Sequence, residues 1–209
     1  EPTDESDGWE RIMVSTQGRS LEVHRLPHGS AVLVDGACGS CESCTAGAGL
    51  HCTRPLAEGR VLTEPVPLAV AEELLAAIFA VAALTEVPET ETVVVAAQDS
   101  SSLAVLVRAI SPSRVLLATD LRDDTLRAEL SRLEPSGRAR VVVAGGDVRA
   151  AVRAVRRGGY VCVGGPALDL PSVTELVQRE VSLVSPRDAA AVLDRVSAQV
   201  WSAAVAAAA

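Results

Sequence analysis

Four of the chain's five cysteines stand close together, at Cys38, Cys41, Cys44 and Cys52, in a C-x2-C-x2-C-x7-C spacing. Thiolates so spaced can close a tetrahedral shell around Zn²⁺, each at about 2.3 Å, with one compact loop supplying all four. Gly39, Gly47 and Gly49 lie among them and let the backbone bend around an ion. A shell filled by four cysteines leaves no position open for water or substrate, so the zinc expected here is structural and performs no hydrolysis or hydride chemistry. Two other uses of the same residues stay open, as reduced surface thiols or as ligands of an iron–sulfur cluster. Ferredoxin-like runs space their cysteines differently and favour a proline after the last, whereas Cys52 is followed by Thr53. A secreted disulfide framework would scatter its pairs along the chain. The fifth cysteine, Cys162, falls in the run Tyr160-Val161-Cys162-Val163 and reads as a small buried hydrophobe.

The elements that must carry this loop follow from hydrophobic period. After an acidic tail, residues 1–10, short alternating pieces at Ile12–Val14, Leu21–Val23 and Ala31–Val34 predict a small antiparallel element, broken at Gly18 and at Pro27-His28-Gly29. Together with the cysteine loop and a proline-punctuated connection it fills residues 11–66. Beyond Pro67 the pattern becomes helix and strand in alternation: helix 68–86, strand 92–95, helix 102–110, strand 115–118, helix 124–133, strand 141–144, helix 148–157, strand 160–163, segment 173–178 and strand 181–184. Continuous apolar strands separated by amphipathic helices predict a parallel sheet covered on both faces. The fold expected is therefore α/β, a Rossmann-like doubly wound parallel sheet over residues 67–185 with a small β-rich, zinc-binding N-terminal lobe and a C-terminal helix over 186–209.

Composition limits the function classes. One Phe, one Tyr and two Trp leave an aliphatic core, and a formal net charge of −8 without a dense basic run argues against nucleic-acid or anionic-membrane partners. The longest apolar run, Leu74 to Leu84, is too short to span a bilayer and reads as a buried or interface helix. No basic stretch followed by an apolar one opens the sequence, so a cytoplasmic location is expected.

The cysteine spacing, with Gly47 three residues after the third cysteine, resembles the structural-zinc lobe of the medium-chain dehydrogenase/reductase superfamily, the zinc-containing alcohol dehydrogenases. Glu91 to Val95 resembles that family's first Rossmann strand, and Arg114 to Leu121 its second, with Asp120 in the place of the ribose-binding acid. Arg157 to Gly164 is similar to the strand beside the nicotinamide, and Leu170 to Val184 to the helix and edge strand after it. The resemblance implies zinc, NAD(P), and a dimer formed by pairing the edge strand 181–184 across a two-fold axis.

The departures from the family bear most on function. Family members are longer and hold a catalytic zinc through a Cys, a His in a Gly-His-Glu motif, and a third acidic or Cys ligand; no Gly-His-Glu occurs here. His24, His28 and His51 read as solvated polar residues. Cys38-Gly39-Ser40 echoes the family's catalytic Cys-Gly-Ser, but one cysteine cannot serve both sites. Where the phosphate-binding Gly-x-Gly-x-x-Gly should lie, positions 97, 99 and 102 are Ala, Asp and Ser. Asp99 would oppose a pyrophosphate and suits a helix cap. Ser100 and Ser101 could still offer hydroxyls and N–H groups to an anion. Asp120 fits either a ribose or a cap for the helix that follows.

Three functions compete: a degenerate family member acting as an accessory or interaction module, a shortened NAD(P)-dependent oxidoreductase, and a non-redox enzyme reusing the crevice. Loss of the second zinc site and loss of the glycines are independent defects, which favours the first. A homodimer, or a larger protein partner, is expected on two grounds: the weakly protected edge strand and the apolar run Leu74 to Leu84, which a missing segment would leave with less protein to cover it.

Overall fold

The computed structural model describes residues 10–12, 21–49, 52–54, 56, 59–144, 147–164, 170–188 and 190–209. Met13, Val14 and His51, which figured in the sequence reading, lie outside them. Two sheets are present, an antiparallel one near the N-terminus and a parallel one that fills the rest of the chain.

In the first sheet, β1 (Glu10–Ile12), β2 (Leu21–Arg25), β3 (Ser30–Asp35) and β4 (Arg60–Val61) lie in that order, with β5 (Val66–Pro67) also on β3. β2 and β3 join as a hairpin through a 3-10 turn at Pro27–Gly29, where His28 and Gly29 both adopt positive φ. Alternate residues Leu21, Val23, Ala31 and Leu33 are buried in the main core. The cysteine loop leaves the end of β3 and returns at β4, with the four-residue helix α1 (Glu42–Thr45) inside it.

The helix α2 (Leu68–Leu84) exposes Ala69, Glu72 and Glu73 in its first turns and from Leu74 onward is buried nearly all round, Leu74, Ile78, Ala80, Val81 and Ala82 completely. It packs on β2, β3 and β5 of the first sheet, on β8 and β9 of the second, and on α3, α7 and α8. Of the two readings of this run, a buried or an interface helix, the structure shows the first, and the run gives no ground for a partner. An all-round apolar helix needs cover on every face, and here the two sheets and the C-terminal helices of the same chain supply it.

The second sheet is all parallel, in the order β10-β9-β8-β6-β7. Its strands are β6 (Thr92–Ala96), β7 (Arg114–Leu117), β8 (Ala139–Ala144), β9 (Val155–Val163) and β10 (Ser182–Val184). Period two decides the faces: Val93, Val95, Val141, Val143 and Cys162 join the core under α2 and α3 (Ser102–Ile110), and Val94, Val142, Ala144 and Val161 join the core under α4 (Asp124–Leu133) and α5 (Val148–Ala154). Leu176 of α6 (Val173–Arg179) packs against this second core. Helices on both faces make the sheet doubly wound, as expected, and the order reverses between β6 and β8. Beyond β7 the described chain crosses directly to β8 through α4, so the sheet lacks the outer strand of the six-stranded dinucleotide-binding order.

Several boundaries shift from those expected of the sequence, and two of the differences change the packing. The helix expected to reach residue 157 ends at Ala154, because Val155 is fully buried as a strand residue opposite Ala139. Gly158, at φ 69°, then takes up an irregularity in register before Tyr160 pairs with Val141. The C-terminal segment contains two helices, α7 (Ala190–Arg195) and α8 (Ala198–Ala208), the second capped by the Ser197 hydroxyl on the Val200 N–H at 3.3 Å.

Candidate metal centre and nucleotide crevice

The cysteine loop folds so that its four thiols converge. The Sγ atoms of Cys38, Cys41, Cys44 and Cys52 all lie within 4.8 Å of one another. Cys38 and Cys44 are 4.0 Å apart and Cys41 and Cys52 are 3.9 Å apart. A tetrahedron with metal–sulfur bonds of about 2.3 Å has edges of about 3.8 Å, so the residues fit a zinc ion. The same distances, nearly twice an S–S bond of about 2.05 Å, exclude disulfides.

Local backbone geometry explains the convergence. Cys41 stands at the N-cap of α1, its carbonyl accepting the Thr45 N–H at 2.9 Å, which places Cys44 on the helix one turn from Cys41. Gly39 and Gly47, both at positive φ, turn the chain into and out of this helix. The Cys52 N–H meets the Gly49 carbonyl at 3.0 Å. Backbone N–H groups then point at sulfur: that of Cys41 at Cys38 Sγ (3.3 Å) and that of Cys38 at Cys52 Sγ (3.4 Å).

These donors bias the thiols toward the form a metal needs. The N–H groups of Cys44 and Thr53 draw the Cys41 thiol down to about 5. The Ser40 backbone and hydroxyl, with the Cys41 N–H, draw Cys38 down to about 7. Burial and the neighbouring Cys41 side chain push Cys44 up to about 12. Metal binding needs all four as thiolates, so uptake of the ion is coupled to loss of protons from the cluster. Cys162 lies apart, fully buried in β9, and burial raises its thiol to about 12, consistent with an inert core residue.

Among the described residues no other group of three or more His, Cys, Asp or Glu side chains is arranged to hold a metal. His24 is mostly buried on β2 with its Nε2 3.3 Å from Glu22 Oε2, and His28 is exposed in the turn.

The other candidate site is the crevice at the ends of β6 and β7. Ser101, not Asp99, is the N-cap of α3: its hydroxyl accepts the Ala104 N–H at 3.2 Å and donates to the Gln98 carbonyl at 2.8 Å. Asp99 instead makes an exposed ion pair with Arg108 of the helix's last turn. Ser100 is exposed beside it. Ser102, 1% exposed, donates to Glu73 Oε1 at 2.8 Å, so a carboxylate of α2 is held against the N-terminus of α3. Glu73 escaped the sequence reading because it belongs to an element 29 residues away.

Asp120 is exposed beyond β7 and accepts the Arg122 N–H through Oδ1 at 2.8 Å. The cap of α4 is Asp123, whose Oδ1 accepts the Thr125 N–H at 2.8 Å, and that bond lowers its pKa. Asp120 thus stabilises the turn before the helix through Oδ1, which leaves Oδ2 outside that bond.

No family model matches the chain, and no curated protein matches it. Among the described residues no helix is long and apolar enough to cross a membrane. Solved structures similar in backbone course include a thermostable alcohol dehydrogenase from Pyrobaculum aerophilum, 14% identical, over 89% of this chain and 71% of that one, at a TM-score of 0.48. An alcohol dehydrogenase from Thermus sp. ATN1 is 14% identical over 90% of this chain and 72% of that one, at 0.47. A short-chain alcohol dehydrogenase from E. coli CFT073, complexed with NADH, is 17% identical over 86% and 71%, at 0.45.

Proposed function

We propose that this chain is a shortened, degenerate relative of the zinc-containing alcohol dehydrogenases that holds one structural zinc and does not oxidise alcohols, serving as an accessory or interaction module. The observation that carries this reading is the N-terminus of α3. In a nucleotide-binding crevice that end must present free N–H groups and glycine backbone to a pyrophosphate. Here Ser101 occupies it as a cap and Glu73 is hydrogen-bonded to Ser102, so a carboxylate already sits where the ligand's charge would go; Asp99, two residues before the cap, is held by Arg108 where the family has a glycine. Loss of the outer strand beyond β7 shortens the wall on the adenosine side.

Titration with NAD(H) and NADP(H) should therefore show no binding at micromolar concentration. The triple variant Ala97→Gly, Asp99→Gly, Ser102→Gly removes one carboxylate and the anchor of the other, and should gain measurable affinity if the free oxygen of Asp120 takes the ribose. Micromolar binding by the unaltered chain would establish the alternative, a shortened NAD(P)-dependent oxidoreductase working through Asp120, and overturn this one.

An accessory role needs a surface, and the edge strand β10 supports self-association as a homodimer or docking on a larger protein. Leu183 is 40% exposed on it, and Val173 and Val177, 77% and 70% exposed, stand one turn apart on the adjoining α6. Sedimentation at micromolar concentration should give a dimer that Leu183→Lys dissociates. A monomer indifferent to that substitution would remove edge pairing.

A further inference from the structure

A groove of about 530 Å³ runs between α4 and α5, on the face of the parallel sheet opposite α2 and α3. Leu126, Leu130 and Ala150 form its inner wall, and Arg127, Arg138, Arg153 and Arg179 its rim and lower end. Among the described residues no carboxylate lines it. This concentration of cations stands in a chain of net charge −8. We propose that the groove binds a phosphate-bearing organic anion, with the phosphate on Arg138 and Arg179 and the body of the ligand against the leucine wall.

Arg127 and Arg153 are already neutralised, by Asp124 and Glu175, each at 3.0 Å. Arg138 and Arg179 differ from them. Among the described residues neither has a carboxylate within ion-pair distance; both donate to the carbonyl of Arg153 at the end of α5, at 2.7 Å and 3.0 Å. A purely structural role, capping that carbonyl, uses one N–H of each guanidinium and leaves the remaining donors of two convergent forks. The Nε of Arg179 is buried with no partner. Burial lowers the pKa of Arg179, and the adjacent charges of Arg138, Arg153 and Arg157 lower it further, against the opposing pull of Glu175. Cations pressed together in this way are relieved by a multiply charged anion, and paired guanidinium forks match the oxygens of phosphate. The apolar wall distinguishes the site from a bare surface charge cluster, and the volume suits a small ligand.

Calorimetric titration with inorganic phosphate and with phenyl phosphate, at low and at raised chloride, tests the assignment. Phenyl phosphate should bind saturably and more tightly than inorganic phosphate, because only the former reaches the leucine wall, and chloride should weaken both. Arg138→Gln and Arg179→Gln should each reduce affinity about tenfold, as expected for a lost charge-assisted pair. Arg179→Lys, keeping the charge without the fork, should fall between. Thermal melts of each variant identify any that fails to fold, and the other then carries the test. No saturable binding at millimolar phenyl phosphate, or binding that survives both arginine substitutions as an anion on α3 would, overturns the proposal.

Discussion

Cys44→Ser should abolish stoichiometric zinc and unfold residues 36–53, leaving the helical signal of the parallel-sheet region intact. The lobe has little else to hold it. Between Gly36 and Thr53, Ala48 is the only buried aliphatic side chain among the described residues, apart from the cysteines themselves, and the one helix is four residues long. Burying a side chain of that size contributes about 1 kcal/mol, whereas metal-linked folding of a four-ligand site contributes about 10 kcal/mol. Removing one thiolate also leaves the Cys38 and Cys41 sulfurs gathered around no cation. Neither core of the remaining chain includes a residue of the lobe, so the loss should stay local. Elemental analysis should give one zinc per wild-type chain, and proteolysis of the variant should cut only within the lobe. Iron in place of zinc, no metal at all, or collapse of the whole circular-dichroism spectrum would contradict this.

The cysteine centre was legible in the sequence because its geometry is local: three of the four ligands lie within seven residues, and two glycines supply the turns. The parallel strands were legible for a similar reason, since runs such as Val93-Val94-Val95 are buried on both faces and admit few other conformations. Properties that depend on distant elements were not. Ser100, Ser101 and Ser102 follow Asp99 directly, and any of the four side chains could cap a helix; the extended backbone at Ser101, φ −78° and ψ 152°, decides among them. Glu73 reaches the same helix end only because α2 is folded against α3. The arginine groove had no signal in a linear reading, since α4, the turn before β8, α5 and α6 each contribute to it and no dense basic run marks the chain. Cover for α2 belongs to this class too, because hydropathy identifies a helix that must be buried without saying by what.

The packing of α2 makes Gly164→Ala the most destabilising single methyl addition expected in the parallel-sheet region. Gly164 follows β9, its N–H 3.3 Å from the Ala144 carbonyl, and the strand end lies directly on α2. A Cβ at this position would stand 2.5 Å from the Ala80 Cβ, 2.7 Å from the Ala80 nitrogen, and closer still to the Ala76 carbonyl oxygen. Two of those atoms are helix backbone, which cannot rotate aside as a side chain can. The helix cannot retreat either, since Ala77 and Ala80 on that part of it are buried and its far side rests on β2 and β3. Relief must come from separating α2 from β9, which opens apolar contacts on both. The cost should lie at or above the upper end of the overpacking range, about 3 kcal/mol, lowering Tm by about 6–12 °C in a chain of this length. Gly158→Ala is the matched control: φ is 69°, and nothing lies within 4 Å of the added carbon, so only the left-handed backbone penalty applies, about 1–2 kcal/mol. Urea and thermal melts of the two variants should separate them clearly. If Gly164→Ala proved no more costly than Gly158→Ala, the close approach of β9 to α2 would not be what holds the two sheets together.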